Sequence, residues 1–154
     1  MDLHKAEIRI KDLILQKLDI FRPEFDSKKI RIETQFGKGA DRVLADPDKM
    51  AQAVTNLLQN AYHYTPTAGF VRIYTGQASG EMKAVFANAG GELSQEDLPF
   101  IFERFYRGKK SRSRKQGSAG IGLAIVKELI EAQDGHVGAE ISDKETRIWF
   151  SIPV

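Results

Sequence analysis

Apolar side chains recur along this chain with two periods, and the switches between them mark its elements. From Lys11 to Asp26, Leu13, Ile14, Leu18 and Phe21 stand at helical spacing. That predicts an amphipathic helix interrupted at Pro23, since proline lacks an amide hydrogen and clashes with the preceding turn. Ala6 to Ile10 ahead of it reads as a strand. Ile30 to Phe36 alternates with period two and stops at Gly37, a strand with one buried face, and a short strand is expected at Val43-Leu44. Asp46-Pro47-Asp48 joins an N-cap residue to a proline at the first helical position. Met50, Val54, Leu57, Leu58 and Ala61 then line one face of a helix that ends before Pro66.

Phe70 to Tyr74 and Met82 to Ala87 read as paired strands joined near Gly76 to Gly80. Ser94-Gln95-Glu96 starts a short helix towards Ile101, and Ile121 to Ala132 is helical with Gly135 as its stop. Val137 to Ile141 and Arg147 to Ile152 close the chain as strands. Six or seven strands, many close enough in sequence for hairpins, with three longer helices, predict an α+β fold. Helices on one face of a mixed sheet fit this order better than a doubly wound parallel sheet. No repeat or low-complexity linker divides the chain, so residues 1–154 are expected to form a single domain.

Composition narrows the class. The 154 residues suit one domain with a real core, and 42% hydrophobic with 29% charged residues is neither a disordered nor a membrane composition. No run of about 18 apolar residues and no secretory leader pattern is present, so a soluble chain is expected. The absence of cysteine excludes disulfides and thiolate metal sites and is compatible with the reducing cytoplasm. Charge is uneven: residues 103–115 carry seven basic side chains against one acid, while the whole chain is only +2. A basic belt on a body of net −4 suits an anionic ligand such as phosphate or nucleic acid, or else a solvated loop.

Three motifs carry candidate chemistry. Asn56, Asn60 and His63 stand at i, i+4 and i+7, a single helix face, while Leu57, Leu58 and Ala61 occupy another. A carboxamide oxygen is a neutral ligand suited to Mg²⁺ that already carries phosphate oxygens and water; the same stripe also fits a plain solvated face. Asn88-Ala89-Gly90-Gly91 follows a strand, where glycines allow close backbone approach to a flat ligand and Asn88 offers both an acceptor and a donor; it also fits a simple turn. Gly117-Ser118-Ala119-Gly120-Ile121-Gly122-Leu123 opens a helix, aiming backbone N–H groups and the positive helix end at whatever lies in front. It is neither a P-loop nor the dinucleotide fingerprint, because it lacks the terminal Gly-Lys-Ser/Thr and the surrounding βαβ unit.

In this order the segments Asn56 to Thr65, Asn88 to Gly91, Ile101 to Arg107 and Gly117 to Val126 resemble the N, G1, F and G2 boxes of the ATP-binding catalytic domain of bacterial sensor histidine kinases. The likeness covers nearly the whole chain, including Leu44 to Asp48 and the last two strands. It implies the two-layer α/β sandwich shared with gyrase and Hsp90-type ATPases, with a lid between the F and G2 boxes. It implies ATP and Mg²⁺ as cofactors, with Asn60 as the metal's protein ligand. The implied nucleotide-binding set is Asn56, Asn60, His63, Tyr64, Asn88, Gly90, Arg107, Lys110, Arg114, Gly120, Gly122 and Leu123. Asn56 occupies the place where gyrase-like ATPases carry a general-base glutamate. Its amide cannot take a proton from water, which fits phosphoryl transfer to a protein histidine better than hydrolysis.

Three positions depart from the family pattern: Asn88 replaces an aspartate that receives the adenine amino group, Glu92 replaces a glycine, and His63 replaces a lysine near the phosphates. The hydrogen bond from adenine to Asn88 then lacks charge assistance. None of His4, His63 and His136 has the setting of a phospho-accepting histidine, so the chain reads as a catalytic fragment without its dimerisation domain. The implied partners are the histidine-bearing dimerisation domain of the same kinase and a response regulator. Nucleic acid is not expected, and a membrane would be met only through parts of a membrane-anchored parent outside this chain. The alternatives are a degenerate nucleotide-binding module without phosphotransfer and a nucleic-acid binder acting through residues 104–115.

Overall fold

The computed structural model describes residues 2–38, 41–89, 93–104, 106 and 119–154. In chain order it contains β1 (Ala6–Arg9), α1 (Ile10–Ser27), β2 (Arg31–Phe36), β3 (Arg42–Ala45), α2 (Pro47–Tyr64), β4 (Phe70–Ala78) and β5 (Glu81–Ala89). A 3₁₀ turn (Gln95–Phe100), α3 (Ala119–Glu131), β6 (His136–Ser142) and β7 (Glu145–Pro153) complete it. Five strands form one sheet in the order β2-β4-β5-β7-β6; β2 runs parallel to β4 and the other pairings are antiparallel. β1 and β3 pair antiparallel in a small sheet of their own. The α+β class and the mainly antiparallel mixed sheet agree with the sequence reading.

Strand alternation divides the large sheet into two faces. Val71 and Ile73 of β4, Met82, Ala84, Phe86 and Asn88 of β5, and Thr146, Ile148, Phe150 and Ile152 of β7 are buried and stand opposite one another in register. This face packs against Ile10, Ile14 and Leu18 of α1, Met50, Val54, Leu57 and Leu58 of α2, and Val126 and Ile130 of α3. Fully burying each such aliphatic side chain contributes about 1.5–3 kcal/mol, so the interface between the layers is the main source of stability. On the opposite face Tyr74, Val85 and Trp149 form a row across three strands, with Lys83 Nζ 4.3 Å above the Trp149 ring.

The N-cap expected at Asp46 is present. Its carboxylate accepts from the backbone N–H groups of Asp48 (3.1 Å) and Lys49 (3.2 Å), and Pro47 occupies the first turn. Asp46 also accepts from His4 N–H at 2.9 Å, and its own N–H donates to Gln133 Oε1 at 2.8 Å. The cap therefore ties the N-terminal segment, α2 and the C-terminal end of α3 together.

Three details differ from the sequence reading. The first helix is not interrupted at Pro23 but runs on to Ser27. Packing outweighs the missing hydrogen bond there: Phe25 is fully buried and meets the Tyr62 ring edge-on at 5.9 Å. Lys28 Nζ then donates to Tyr62 O at 2.6 Å, fixing the helix end to α2. The β4–β5 connection is tighter than Gly76 to Gly80; it consists of Ser79 and Gly80, both at positive φ, so both strands are longer. After α3 the left-handed position belongs to Asp134 (φ 62°) and not to Gly135. Gly135 answers a close approach instead, since a Cβ there would collide with the Ser151 carbonyl and lie 2.7 Å from Ile130 Cγ2.

Candidate functional site

The apolar stripe of α2 turns Leu57, Leu58 and Ala61 into the core and leaves Asn56, Asn60 and His63 half-buried on another face, as their spacing requires. Asn56 Nδ2 donates to Gly122 O at 3.3 Å, bringing α2 against the first turns of α3. His63 meets the Tyr64 ring edge-on, 4.8 Å between centroids, and Tyr64 is itself buried. Gly120 and Gly122 lie in the opening turns of α3, where a Cβ on Gly122 would meet no heavy atom of the described residues within 4 Å. Leu123, one residue on, is buried in the core and anchors that end of the helix.

Asn88 reaches the same layer from the sheet. It ends the buried side of β5, between Val71 of β4 and Thr146 of β7, and is 4% exposed. Its Nδ2 has no hydrogen-bond partner among the described residues. Leaving a buried amide donor unpaired costs about 1–3 kcal/mol, which an incoming acceptor would recover. Gly90, Glu92, Arg107, Lys110 and Arg114 lie outside the described residues, as does nearly all of the basic belt.

Tyr106 lies in the Ile101 to Arg107 segment picked out from the sequence, but sequence reasoning misses its partner. Asp97 is 1% exposed and accepts from Tyr106 Oη at 2.6 Å, from Ser94 N–H at 2.8 Å and from the Ser94 hydroxyl at 3.1 Å. Phe100 stacks on Tyr106 with centroids 5.6 Å apart, and Phe102 packs against the core. The Ser94-x-x-Asp97 spacing of a capping box was the available signal. Asp46 is a second site of concentrated polarity. The His4 N–H holds its carboxyl below the usual carboxylate range, helped by the Lys49 N–H and ammonium and opposed by burial.

A shallow cavity of about 430 Å³ opens on the far face of the sheet, lined by Tyr74, Lys83, Val85, Trp149 and Ser151 among others. It contains none of the residues picked out from the sequence. Among the described residues no three His, Cys, Asp or Glu side chains converge to hold a metal, and no helix is long and apolar enough to cross a membrane.

Comparison with known proteins places this geometry in context. The family described as histidine kinase-, DNA gyrase B-, and HSP90-like ATPase matches residues 45–154. The signal transduction histidine-protein kinase BaeS of Escherichia coli (strain K12) is 32% identical over 133 residues, covering 86% of this chain and 28% of BaeS. The catalytic domain of histidine kinase ThkA superposes with a TM-score of 0.86 at 24% identity, covering 97% of this chain and 95% of that one. Full-length ShkA, solved in complex with AMPPNP, gives a TM-score of 0.84 at 27% identity, covering 99% of this chain and 32% of ShkA. The chain thus spans less than a third of BaeS.

Proposed function

Because the chain belongs to the family of histidine kinase-, DNA gyrase B- and HSP90-like ATPases, we propose that it binds Mg-ATP and supplies the γ-phosphoryl group to a histidine on a partner dimerisation domain, from which it passes to a response regulator. The observation that carries this reading is the Asn56–Gly122 hydrogen bond at 3.3 Å. It holds the polar face of α2 beside the glycine-opened N-terminus of α3, where unpaired N–H groups and the helix dipole favour phosphate.

The residues fit the group they would hold. ATP brings the transferable phosphoryl group, and Mg²⁺ offsets the charge of its phosphate oxygens. Asn60 offers the metal one neutral oxygen. Asn88 offers the base a buried carboxamide with a spare donor. The α3 N-terminus offers backbone N–H groups to phosphate, and Arg107, Lys110 and Arg114 offer it positive charge. Asn56, holding Gly122 O, positions α3 and abstracts no proton, so water at this place lacks a general base and transfer to a protein histidine is favoured over hydrolysis. The place of work is the cytoplasmic side of the parent protein, where ATP is present.

The test is to titrate the chain with Mg-ATP and then mix it with a supplied histidine-bearing dimerisation domain. Acid-labile, base-stable phosphate on that domain is the expected result. Binding without transfer to any such domain leaves a nucleotide-binding module and removes the kinase reading. Failure to bind ATP, with salt-dependent binding to DNA, overturns both in favour of a nucleic-acid binder.

A further inference from the structure

Four buried side-chain polar atoms lack a hydrogen-bond partner among the described residues: Thr65 Oγ1, Arg72 Nε, Ser151 Oγ and Asn88 Nδ2. Only Asn88 is a carboxamide, and it differs chemically from the others because donor and acceptor stand side by side on one planar group. It closes the buried run Met82, Ala84, Phe86, Asn88 on the helix-covered face of β5, where the preceding members are apolar core. Its neighbour across β4 is Val71, which offers no polar group to the amide. The chain that follows is Ala89-Gly90-Gly91, three residues with almost no side chain. A polar group held 4% exposed at the end of an apolar row, with its donor unused among the described residues, is arranged for a ligand that brings its own acceptor.

The geometry points to a purine edge read in either sense, an inference that rests on the nucleotide reading of the site. We propose that Asn88 makes this site purine-tolerant, so that it takes GTP as well as ATP. Adenine presents an amino donor at position 6 beside the acceptor N1; guanine presents a carbonyl acceptor at position 6 beside the donor N1–H. The two edges are complementary opposites. The carboxamide pairs with adenine by accepting at Oδ1 and donating from Nδ2. Turned by half a revolution about Cβ–Cγ, the same group pairs with guanine through the same two atoms. An aspartate at this position has only acceptors when ionised. With one oxygen opposite position 6 it takes the adenine amino group and repels the guanine carbonyl, and turning the side chain exchanges one acceptor for another and does not relieve that repulsion. The choice of amide over carboxylate thus gives up charge assistance with adenine and removes the repulsion that excludes guanine.

The experiment is calorimetric titration of the whole chain with Mg-ATP, Mg-GTP and Mg-CTP, repeated for Asn88→Asp and Asn88→Ala, with circular dichroism to verify that each variant is folded. The expected result for the native chain is ATP and GTP affinities within about tenfold of each other and CTP weaker than both; the amino and N3 edge of cytosine repeats the adenine pattern, so its loss comes from the single ring, which buries less apolar surface than a purine. Asn88→Asp should restore preference for ATP over GTP by at least about tenfold. Asn88→Ala should weaken both purines by a similar factor, and it keeps the test decisive if the buried carboxylate of Asn88→Asp prevents folding. Tight ATP with GTP more than about a hundredfold weaker overturns the proposal and leaves the nucleotide reading standing. So does CTP binding as tightly as GTP, or loss of ATP affinity alone in Asn88→Ala. No binding of any nucleotide overturns the nucleotide reading and this inference together.

Discussion

The side-chain amide of Asn56 donates to the main-chain carbonyl of Gly122 across 3.3 Å, so the middle of α2 holds the first turns of α3. Asn60, one turn further along the same face, is half-buried, and among the described residues it makes no such hydrogen bond to α3. The two asparagines should therefore separate on mutation. Asn56→Ala is expected to cost about 0.5–1.5 kcal/mol of stability, the net worth of one such bond, and to weaken nucleotide binding mildly. Asn60→Ala should leave the urea midpoint unchanged and abolish the Mg²⁺-dependent part of nucleotide binding. Equal Mg-ATP affinity for Asn60→Ala and the native chain, by calorimetry, removes the metal assignment.

Asp46 makes stability depend on pH. Its folded-state pKa is depressed, chiefly by the His4 N–H and then by the Lys49 N–H. The stabilisation it confers is thus present in full above the ordinary aspartate value of 3.8 and is lost as pH falls through the lower folded value. Asp46→Asn should lower stability at neutral pH and lose less as pH is taken from about 5 down to about 2, so that the two unfolding curves converge in acid. Parallel curves for the two proteins would mean that another carboxylate carries the acid sensitivity.

Much of this architecture was legible because it is written in short-range periodicity. The stripe from Met50 to Ala61 and the Asp46-Pro47 start define α2, and the α2 stripe alone placed Asn56, Asn60 and His63 on one face. What was not legible depends on contacts remote in sequence. Asp46 and Gln133 are 87 residues apart, so nothing local shows that a helix cap also receives the end of α3. Pro23 reads as a break because the packing of Phe25 on Tyr62, which overrides it, comes from another helix. Gly135 reads as a helix stop because the Ser151 carbonyl that excludes a side chain there belongs to β7. The β1–β3 pairing spans α1 and β2 and has no turn between its strands to announce it.

Gly138 and Trp149 face each other across β6 and β7, and a Cβ at Gly138 would lie 2.6 Å from Trp149 Cε2. Gly138→Ala should displace the indole and cost about 1–3 kcal/mol, the usual penalty for overpacking. Since Trp149 is the single tryptophan, its emission reports the event directly. A shifted emission maximum with a lowered melting temperature is expected; an unchanged spectrum means the strand yields instead of the ring.

Tyr106→Phe removes one hydroxyl and keeps the ring that stacks on Phe100. Asp97 then loses its 2.6 Å donor while remaining buried. A hydrogen bond to a charged acceptor contributes about 1.5–3 kcal/mol, and a loss in that range is expected in chemical denaturation. A loss below about 0.5 kcal/mol would show that the carboxylate is satisfied without the tyrosine hydroxyl.

His63 carries the prediction with the sharpest dependence on conditions. It lies three residues after Asn60 on α2, half-buried, with its ring edge-on to Tyr64 at 4.8 Å. A lysine in its place would be charged throughout the neutral range, whereas an imidazole, which in water titrates near pH ~6.5, gains charge only as pH falls. If the ring faces the phosphates, their charge favours the protonated form and binding takes up a proton. The sign follows: affinity for Mg-ATP should rise as pH falls from about 8 to about 6.5, up to the point where ATP itself begins to protonate. His63→Lys should bind ATP with a flatter pH dependence, because its charge is already in place at a pH of about 8, and His63→Gln should be flat and weak throughout. Calorimetry across that pH range with all three proteins decides the matter. Equal slopes for the native chain and His63→Lys would place the imidazole away from the phosphates and leave it as packing for Tyr64.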